Sequence, residues 1–295
     1  IRNKAPHKSL LFTKDCAAIE FALWDIMGKK AGLPVYKLLG GKVREKNAIT
    51  LFVGQKAIDH QLADIERAVS EGIKAIKVKV GSNDAHDMDL LKEIRRQFGW
   101  ELIIRIDPNR AWTVTDGARI LRRMADYSIQ YIEGALRRIE SYGFKRLREL
   151  CGIPICICEQ FNGPYVMSTE QALVRVQDLI RMEAFDVLSV DPSRTGGLLG
   201  FGKICAACEG IGAQVVTHRA RAGVSQSVWL NAVITSQAAS YAHDIVPVGQ
   251  PSGADDDIIT TPLRHENGYM TPPDGPGLGV EVDMEKVRKY CVREL

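Results

Sequence analysis

Short apolar runs alternate with amphipathic helical segments along most of the chain. The apolar runs are five to eight residues long and rich in Val and Ile, which is typical of strands buried on both faces. Between them, hydrophobic residues recur at helical spacing, and several of these segments end in glycine, a common helix stop. The predicted strands are residues 47–54, 75–81, 102–107, 129–133, 154–159, 186–191, 213–218 and, with a weaker pattern, 243–248.

The strand and helix units have a steady length. From Lys79 to His218, successive charged strand ends lie 26 to 32 residues apart. Eight strands that alternate with helices at such a period predict an α/β fold of the (β/α)8 barrel type. The alternative is an open doubly wound sheet, which usually carries a glycine-rich phosphate turn after its first strand, and no such turn follows the first predicted strand.

The pattern also predicts a division of the chain into two parts. A helical segment at 16–32, ended by Gly32 with Pro34 beyond it, precedes the first predicted strand, as expected of a helix stop. We therefore predict a helix and linker in residues 1–45 and the barrel, with its closing segment, in residues 46–295.

Composition narrows the class of protein. The chain has 295 residues, of which 45% are hydrophobic and 25% charged, an ordinary balance for a globular domain. A net charge of +3 is too small to indicate nucleic-acid binding, and no apolar run approaches the roughly 18 residues of a membrane span. No secretory signal is visible, and the seven cysteines are an odd number. These features predict reduced thiols and a cytoplasmic location.

Ionisable residues mark the predicted strands from the second to the seventh. In a barrel the carboxyl ends of all strands meet at one rim, where active sites form. Charged side chains are rarely buried without partners, so six such strands in succession indicate a site rather than chance. The residues are Lys77, Lys79, Asp107, Glu133, Glu159, Asp191 and His218.

Three of these residues, Asp107, Glu133 and Glu159, come from adjacent predicted strands. Three carboxylates that close together repel one another unless a cation lies between them. An all-oxygen ligand set suits Mg²⁺, or alternatively Mn²⁺, and Asn109 could add an oxygen contact. The alternative is that the carboxylates form ordinary ion pairs with nearby arginines or with the lysines.

Lys77 and Lys79 are two residues apart in one predicted strand, so their side chains point to the same face. Two neighbouring ammonium groups lower each other's pKa, and burial lowers it further. One lysine would then be a usable base, while the other stays charged and stabilises an anion. The alternative is two solvated lysines.

Asp191 and His218 end the next two predicted strands. A carboxylate beside an imidazole fixes its tautomer and raises its basicity. We expect this pair across the mouth of the barrel from the lysines, although a lone histidine is more often structural than catalytic.

The chain resembles the enolase superfamily, in the branch of mandelate racemase and muconate lactonizing enzyme. The resemblance covers nearly the whole chain. It is carried by K-x-K at 77–79, RIDPNRAW around Asp107, IE at 132–133, ICEQ at 157–160, SVDPSRTGG around Asp191, VVTH ending at His218 and PDGPGLGVEVD at 273–283.

This resemblance implies roles for the residues. Asp107, Glu133 and Glu159 would bind Mg²⁺, which holds a substrate carboxylate while a base removes the α-proton. The other expected site residues are Lys79 as the base, Lys77 as the group that stabilises the enolate, the His218–Asp191 pair as base or acid on the other face, and Asn109 and Arg194 beside the substrate or the ligands.

Three departures from the family pattern stand out. The family usually has a proline two residues after the fourth-strand glutamate, whereas this chain has Glu133–Gly134–Ala135. The capping domain of about a hundred residues that normally precedes the barrel is expected to be largely missing. No acidic residue is expected at the end of the eighth strand, in the run from 243 to 250, to hydrogen-bond the substrate carboxylate.

The expected partners are a small carboxylate substrate and further copies of the chain. The first hypothesis is dehydration of an acid sugar to a 2-keto-3-deoxy acid. A racemase or epimerase would use the same two bases in turn, and a lyase that forms a Schiff base with Lys77 or Lys79 is a third chemistry. A hypothesis of another class is an inactive or incomplete barrel that lacks its cap.

Overall fold

The structure, a computed structural model, describes residues 14–138, 140–162, 166–220, 223–246 and 258–291. Its strands are β1 (Asn47–Ala48), β2 (Thr50–Val53), β3 (Ala75–Lys79), β4 (Ile103–Asp107), β5 (Ile129–Glu133), β6 (Ile155–Ile157), β7 (Val187–Val190), β8 (Gln214–Thr217) and β9 (Tyr269–Met270). Its helices are α1 (Lys14–Ala31), α2 (Val35–Leu38), α3 (Ile58–Ser70), α4 (Asp84–Phe98), α5 (Val114–Met124), α6 (Ser141–Cys151), α7 (Glu159–Asn162), α8 (Thr169–Arg181), α9 (Gly197–Glu209), α10 (Gly223–Val233) and α11 (Met284–Tyr290).

Strands β2 to β8 form a seven-stranded parallel sheet in which each strand pairs with the next along the chain. Residues 243–246 join the two edges of this sheet. His243 exchanges backbone hydrogen bonds with Ala48 and Thr50 at the β2 edge, while Ala220, just beyond β8, bonds to Asp244 and Val246. The sheet therefore closes on itself through this segment, an arrangement that fits the predicted (β/α)8 barrel.

Seven of the eight predicted strands are present, each within a few residues of its expected bounds, although the first run is divided into β1 and β2. The prediction of a regular strand at 243–248 is wrong for the residues that the structure describes. This segment makes one isolated bridge to each edge, Ile49 to His243 and Ala220 to Ile245, because it follows each edge for too short a distance to form a ladder. Residues 247 and 248 lie outside the described part.

Helix α1 is fixed to the barrel by polar contacts. Glu20 accepts hydrogen bonds from the backbone of Leu198 and Leu199 at the start of α9 (3.0 and 3.2 Å), where a carboxylate is favourable to a helix N-terminus. Asp25 accepts one from Leu278 (2.8 Å). None of the helices in the described residues is both long and apolar enough to cross a membrane.

His243 is completely buried in the closing segment. Its Nδ1 accepts a hydrogen bond from the Thr217 amide (3.3 Å), and its Nε2 lies 3.0 Å from the Ala239 carbonyl oxygen. Burial lowers the pKa of His243 to about 3; the Ala239 carbonyl opposes this shift, and the charges of Arg105 and Arg44 add to it. The ring is therefore neutral in the folded protein at ordinary pH.

Because the His243 ring is buried and neutral, we expect the free energy of unfolding to fall in acid. The unfolded chain takes up a proton on His243 near pH 6.5, whereas the folded chain does so near pH 3. The stabilisation is present above pH 6.5 and is lost as the pH falls toward 3, by about 2–3 kcal/mol at pH 4.5. Urea unfolding at pH 7.5 and 4.5 should show a smaller loss for His243→Gln than for the wild type. His60→Gln, at an exposed position on α3, is the control and should match the wild type; equal losses in all three proteins contradict the prediction.

Candidate active site

The charged residues predicted to end the strands do meet at one rim of the barrel. In the parallel pairing of β3 and β4, Lys79 lies opposite Asp107, and Lys77, two residues earlier in β3, lies opposite Arg105. Glu133 is the last residue of β5, while Glu159, predicted at a strand end, instead begins the short helix α7 two residues after β6. The parallel register thus brings the lysines and the first two carboxylates side by side.

Lys77 is almost completely buried, with 2% of its side chain exposed. Its ammonium donates to Glu133 Oε2 (2.9 Å) and to Asp244 Oδ2, and it lies 4.8 Å from the centre of the Phe52 ring. Burial lowers the pKa of Lys77, but Asp244 and Glu133 outweigh it, so that the pKa lies well above its ordinary value. The expectation of a lysine with a lowered pKa is wrong for Lys77, because the sequence pattern did not reveal its two anionic partners.

Lys79 is less buried than Lys77, with a third of its side chain exposed. Its ammonium donates to Asp107 Oδ2 (2.5 Å), and the backbone amide of Asn109 donates to Asp107 Oδ1 (2.8 Å). Asn109 therefore supports Asp107 through its main chain, and its own φ is +49°. Lys79 and Asp107 line a cavity of about 360 Å³ whose wall also includes Gln55, Ser82 and Asn109.

Glu159 is the one carboxylate of the predicted ligand set that is bound to no lysine in the described structure. Its Oε2 is buried and has no hydrogen-bond partner among the described residues. Burial raises the pKa of Glu159 to about 7; the charges of Glu133 and Asp107 add to this shift, and Arg110 opposes it. A cation bound next to Glu159 would therefore be strongly favoured.

The donor chemistry of these residues fits a divalent cation. Three carboxylates from neighbouring elements supply only oxygen, which Mg²⁺ and Mn²⁺ prefer, and Glu159 has a buried oxygen to offer. Within the described residues, no three acidic, histidine or cysteine side chains are already grouped to hold a metal ion. Asp107 and Glu133 each direct an oxygen at a lysine, so the two lysines compete with a cation for these carboxylates.

Gly134 makes room for Glu159. Its φ is +56°, and a Cβ at this position would lie 2.2 Å from Glu159 Oε1. The departure from the family pattern in the run Glu133–Gly134–Ala135 thus occurs where the backbone passes close to the carboxylate. A side chain at 134 has no space unless Glu159 moves.

We therefore expect Gly134→Ala to weaken Mn²⁺ binding by about 10-fold or more, because it displaces a ligand. Mn²⁺ titration followed by electron paramagnetic resonance measures this effect. Gly152→Ala is the matched control, since Gly152 has a φ of +67° and nothing within 4 Å of an added Cβ. Both variants carry the backbone strain, about 1 kcal/mol, so equal Mn²⁺ affinities for the two would contradict the role of Glu159.

Asp191 is held by its own loop rather than by the imidazole. It follows β7 and caps a short 3-10 helix, Pro192–Arg194. Its Oδ1 accepts from the backbone and the hydroxyl of Ser193 (2.9 and 2.6 Å), and its Oδ2 pairs with Arg194 Nε at 3.3 Å. Arg194, predicted beside the substrate or the ligands, is thus a partner of Asp191.

His218 follows β8 and is largely buried, but no hydrogen bond joins it to Asp191 in the described part of the chain. Burial lowers the pKa of His218; Glu133, Asp244 and Asp191 oppose that shift, and Lys77 adds to it. Asp191 raises the pKa of the ring, as expected, but desolvation outweighs the carboxylates and the net shift is downward. The charges of Lys77 and Glu133 both shift the pKa of His218, so this ring lies near them and belongs to the same site.

Asp244 is the site residue that the sequence analysis missed. It is completely buried and contacts Lys77, whereas the sequence prediction for this run concerned only an acid at its end that would hydrogen-bond the substrate carboxylate. The signal was present, since Asp244 lies within the run that begins at His243. The family pattern places an acid at the end of this run, whereas Asp244 is its second residue.

The geometry agrees with comparisons to known proteins. The family described as "Enolase C-terminal domain-like" matches residues 61–287. The family described as "Mandelate racemase / muconate lactonizing enzyme, N-terminal domain" matches residues 4–40. Together the two matches extend over most of the chain, and the first includes the lysines, the carboxylates and His218 of the site.

Similar proteins carry out different reactions. The chain is 29% identical to L-Ala-D/L-Glu epimerase of Clostridium acetobutylicum, over 90% of this chain and 71% of that protein. It is also 29% identical to arabinonate dehydratase of Saccharolobus solfataricus, over 90% and 69%. Among solved structures, an isomerase from Streptomyces coelicolor A3(2) superimposes with a TM-score of 0.79 at 30% identity, over 94% of this chain and 73% of that one.

Proposed function

Because the chain belongs to the enolase superfamily, in the branch of mandelate racemase and muconate lactonizing enzyme, we propose that it removes the α-proton of a carboxylate substrate in a Mg²⁺-dependent reaction. Members of this superfamily bind Mg²⁺. The observation that carries the proposal is the placement of two lysines, three carboxylates and a histidine at one rim of the barrel. Asp107, Glu133 and Glu159 would hold the cation, with Mn²⁺ as an alternative.

The cation, when bound, would supply positive charge for the substrate carboxylate and for the charge that develops on it. The protein's own groups do the rest. Lys79, at the wall of the cavity, takes the α-proton as the neutral amine, after its ammonium has given up a proton. Lys77 stays cationic between Glu133 and Asp244 and stabilises the negative charge that the departing proton leaves on the substrate.

His218 serves the other face of the substrate. Its strand β8 and the strand β3 of the lysines are not neighbours, since β2 and residues 243–246 lie between them. A substrate in the mouth would therefore meet Lys79 and His218 from different sides. Two proton-transfer groups on two faces permit either loss of a β-hydroxyl or inversion at the α-carbon.

We propose dehydration of an acid sugar as the specific reaction. Lys79 removes the α-proton, a protonated His218 gives a proton to the leaving β-hydroxyl, water departs, and the enol product becomes a 2-keto-3-deoxy acid. The polar wall of the cavity beside Lys79, with Gln55, Ser82 and Asn109, suits a hydroxylated chain. The named activity of the arabinonate dehydratase relative is consistent with this choice.

Racemisation or epimerisation is the second candidate, favoured by one observation. Burial lowers the pKa of His218, so the resting ring is neutral and is a base rather than an acid. A neutral His218 removes the α-proton on one face and the Lys79 ammonium returns a proton on the other, which inverts the α-carbon without loss of water; the reverse reaction exchanges these two roles. The epimerase relative has such an activity by name.

A screen in D₂O separates these reactions. Acid sugars and other α-substituted carboxylates are incubated with the protein and Mg²⁺, with EDTA as the control. Formation of a 2-keto acid supports the dehydratase, whereas deuterium exchange at the α-carbon without loss of water supports the racemase. If neither reaction occurs with any compound, although Mn²⁺ binds, the proposal fails and the hypothesis of an inactive or incomplete barrel is favoured.

A further inference from the structure

Asp244 occupies a position that the proposed chemistry does not yet explain. Neither of its carboxylate oxygens is exposed, and its backbone is fixed by the closing segment, where its carbonyl accepts from the Ala220 amide (2.9 Å). Its Oδ2 accepts from Lys77, while its Oδ1 has no hydrogen-bond partner within the described ranges. A buried charge of this kind is costly unless it is paired, so its pairing with Lys77 stabilises both buried charges.

The Lys77 ammonium is shared between two carboxylates. Glu133 Oε2 lies 2.9 Å from it on one side, Asp244 contacts it on another, and the Phe52 ring faces it at 4.8 Å. Both carboxylates are nearly or completely buried, with Glu133 at 3% and Asp244 at 0% exposure. Only Glu133 belongs to the set of three carboxylates that fits a divalent cation.

These contacts set up a competition for Glu133. A cation that takes Glu133 Oε2 as a ligand draws that oxygen away from Lys77, which would leave the buried ammonium without this counter-charge. Asp244 supplies that counter-charge. If Asp244 were neutral, Lys77 would depend on Glu133 alone and would resist its transfer to the cation.

We infer that Asp244 is a positioning residue that holds the Lys77 ammonium in place and so releases Glu133 to bind a divalent cation. This inference rests on the proposed function only in its assignment of Glu133 as a ligand. Asp244 itself touches neither the cation nor the reacting atoms in this role. Its effect reaches the cation through Lys77, and this route distinguishes the inference from a general electrostatic effect.

Metal binding tests this inference without a substrate. Mn²⁺ affinity is measured by electron paramagnetic resonance titration, and Mg²⁺ affinity by calorimetry, for the wild type, Asp244→Asn and the double variant Lys77→Met/Asp244→Asn. We expect Asp244→Asn to weaken binding by about 10–100-fold, the usual cost of losing a group that orients a ligand. The double variant, which removes the competing ammonium as well, should return to within about 3-fold of the wild type.

Asp186→Asn is the matched control. Asp186 is also an ion-paired aspartate, bound to Arg148 (2.7 Å), but it precedes β7 and so lies at the opposite end of the barrel strands. Its replacement should leave Mn²⁺ affinity unchanged. Thermal unfolding of each protein confirms that the variants are folded.

Each remaining outcome decides the question. Wild-type affinity in Asp244→Asn overturns the inference, and so does equal weakening in the single and double variants, because Asp244 would then act on the cation directly. A raised KM at unchanged metal affinity would assign Asp244 to the substrate instead. If Asp244→Asn does not fold, the double variant decides: affinity near that of the wild type supports the inference, and weak binding overturns it. Failure of the wild type to bind Mn²⁺ refutes the proposed function itself.

Discussion

Replacing Lys79 with methionine is expected to slow α-proton exchange by about 10²–10⁴-fold, the usual contribution of a general base. Lys79 lies at the wall of the cavity beside Asp107, so its amine, once deprotonated, is placed to receive a proton from a substrate held at the rim. The measurement is deuterium incorporation at the α-carbon, followed by proton magnetic resonance, with the substrate found by the screen. Mg²⁺ affinity, measured by calorimetry, should not fall, because the variant removes a competitor for Asp107 and no ligand.

Measured together, the rate of α-proton exchange and the Mg²⁺ affinity distinguish a base from a residue that supports the metal site. Lys74→Met is the matched control, since Lys74 directly precedes β3 and is exposed, and it should exchange protons at the wild-type rate. An exchange rate for Lys79→Met within about 3-fold of the wild type, with Mg²⁺ bound, would show that another group is the base. Loss of exchange together with loss of Mg²⁺ binding would mean that Lys79 supports the metal site instead.

The second large effect is expected on folding. Lys77→Met removes the cation that is shared by two buried carboxylates, Glu133 and Asp244. Breaking a buried ion pair in this way costs about 3–5 kcal/mol, because the remaining charges are left uncompensated. Methionine is similar in size to the lysine stem, so the loss reports on charge rather than on packing. Urea unfolding at pH 7.5 in EDTA measures the free energy of unfolding.

Mg²⁺ should restore part of the stability of Lys77→Met, since a cation that binds Glu133 supplies a counter-charge for one of the two carboxylates. Lys29→Met is the control: its partner is Asp25, at 2.7 Å, but the lysine side chain is 54% exposed, and an exposed pair contributes about 0–1 kcal/mol. A loss below about 1 kcal/mol for Lys77→Met would mean that the buried carboxylates take up protons at little cost, and that Lys77 does not balance their charge.

Much of the site could be predicted because each functional residue is attached to a strand. Lys77, Lys79, Asp107 and Glu133 lie in strands whose hydrophobic pattern is clear, and a parallel barrel places the ends of such strands at one rim. Asp191 and His218 follow their strands directly, and Glu159 comes two residues after its strand, so they were located with nearly the same accuracy. The enolase superfamily resemblance was drawn from the same positions, and the match to residues 61–287 confirms it.

The pKa directions of Lys77 and His218 were not predictable in this way. We expected two lysines to lower each other's pKa and a carboxylate to raise that of the imidazole. The outcome depends on which groups lie across the barrel and on how much water is excluded, and neither is visible in a linear pattern. Asp244 reaches Lys77 from the closing segment, 167 residues further along the chain, and reverses the expected direction for that lysine.

The sequence by itself determined the period of strands and helices, the rim on which the charges gather and the candidate residues for ligand and base chemistry. These features depend on local pattern, because strand periodicity and register follow from which side chains must be buried. Tertiary structure alone decided the pairing of the charges: Lys77 with Glu133 and Asp244, Lys79 with Asp107, and Asp191 with Arg194 rather than His218. The physical reason is that electrostatic energy depends on distance and on local burial, which the closed barrel fixes between residues far apart in the chain.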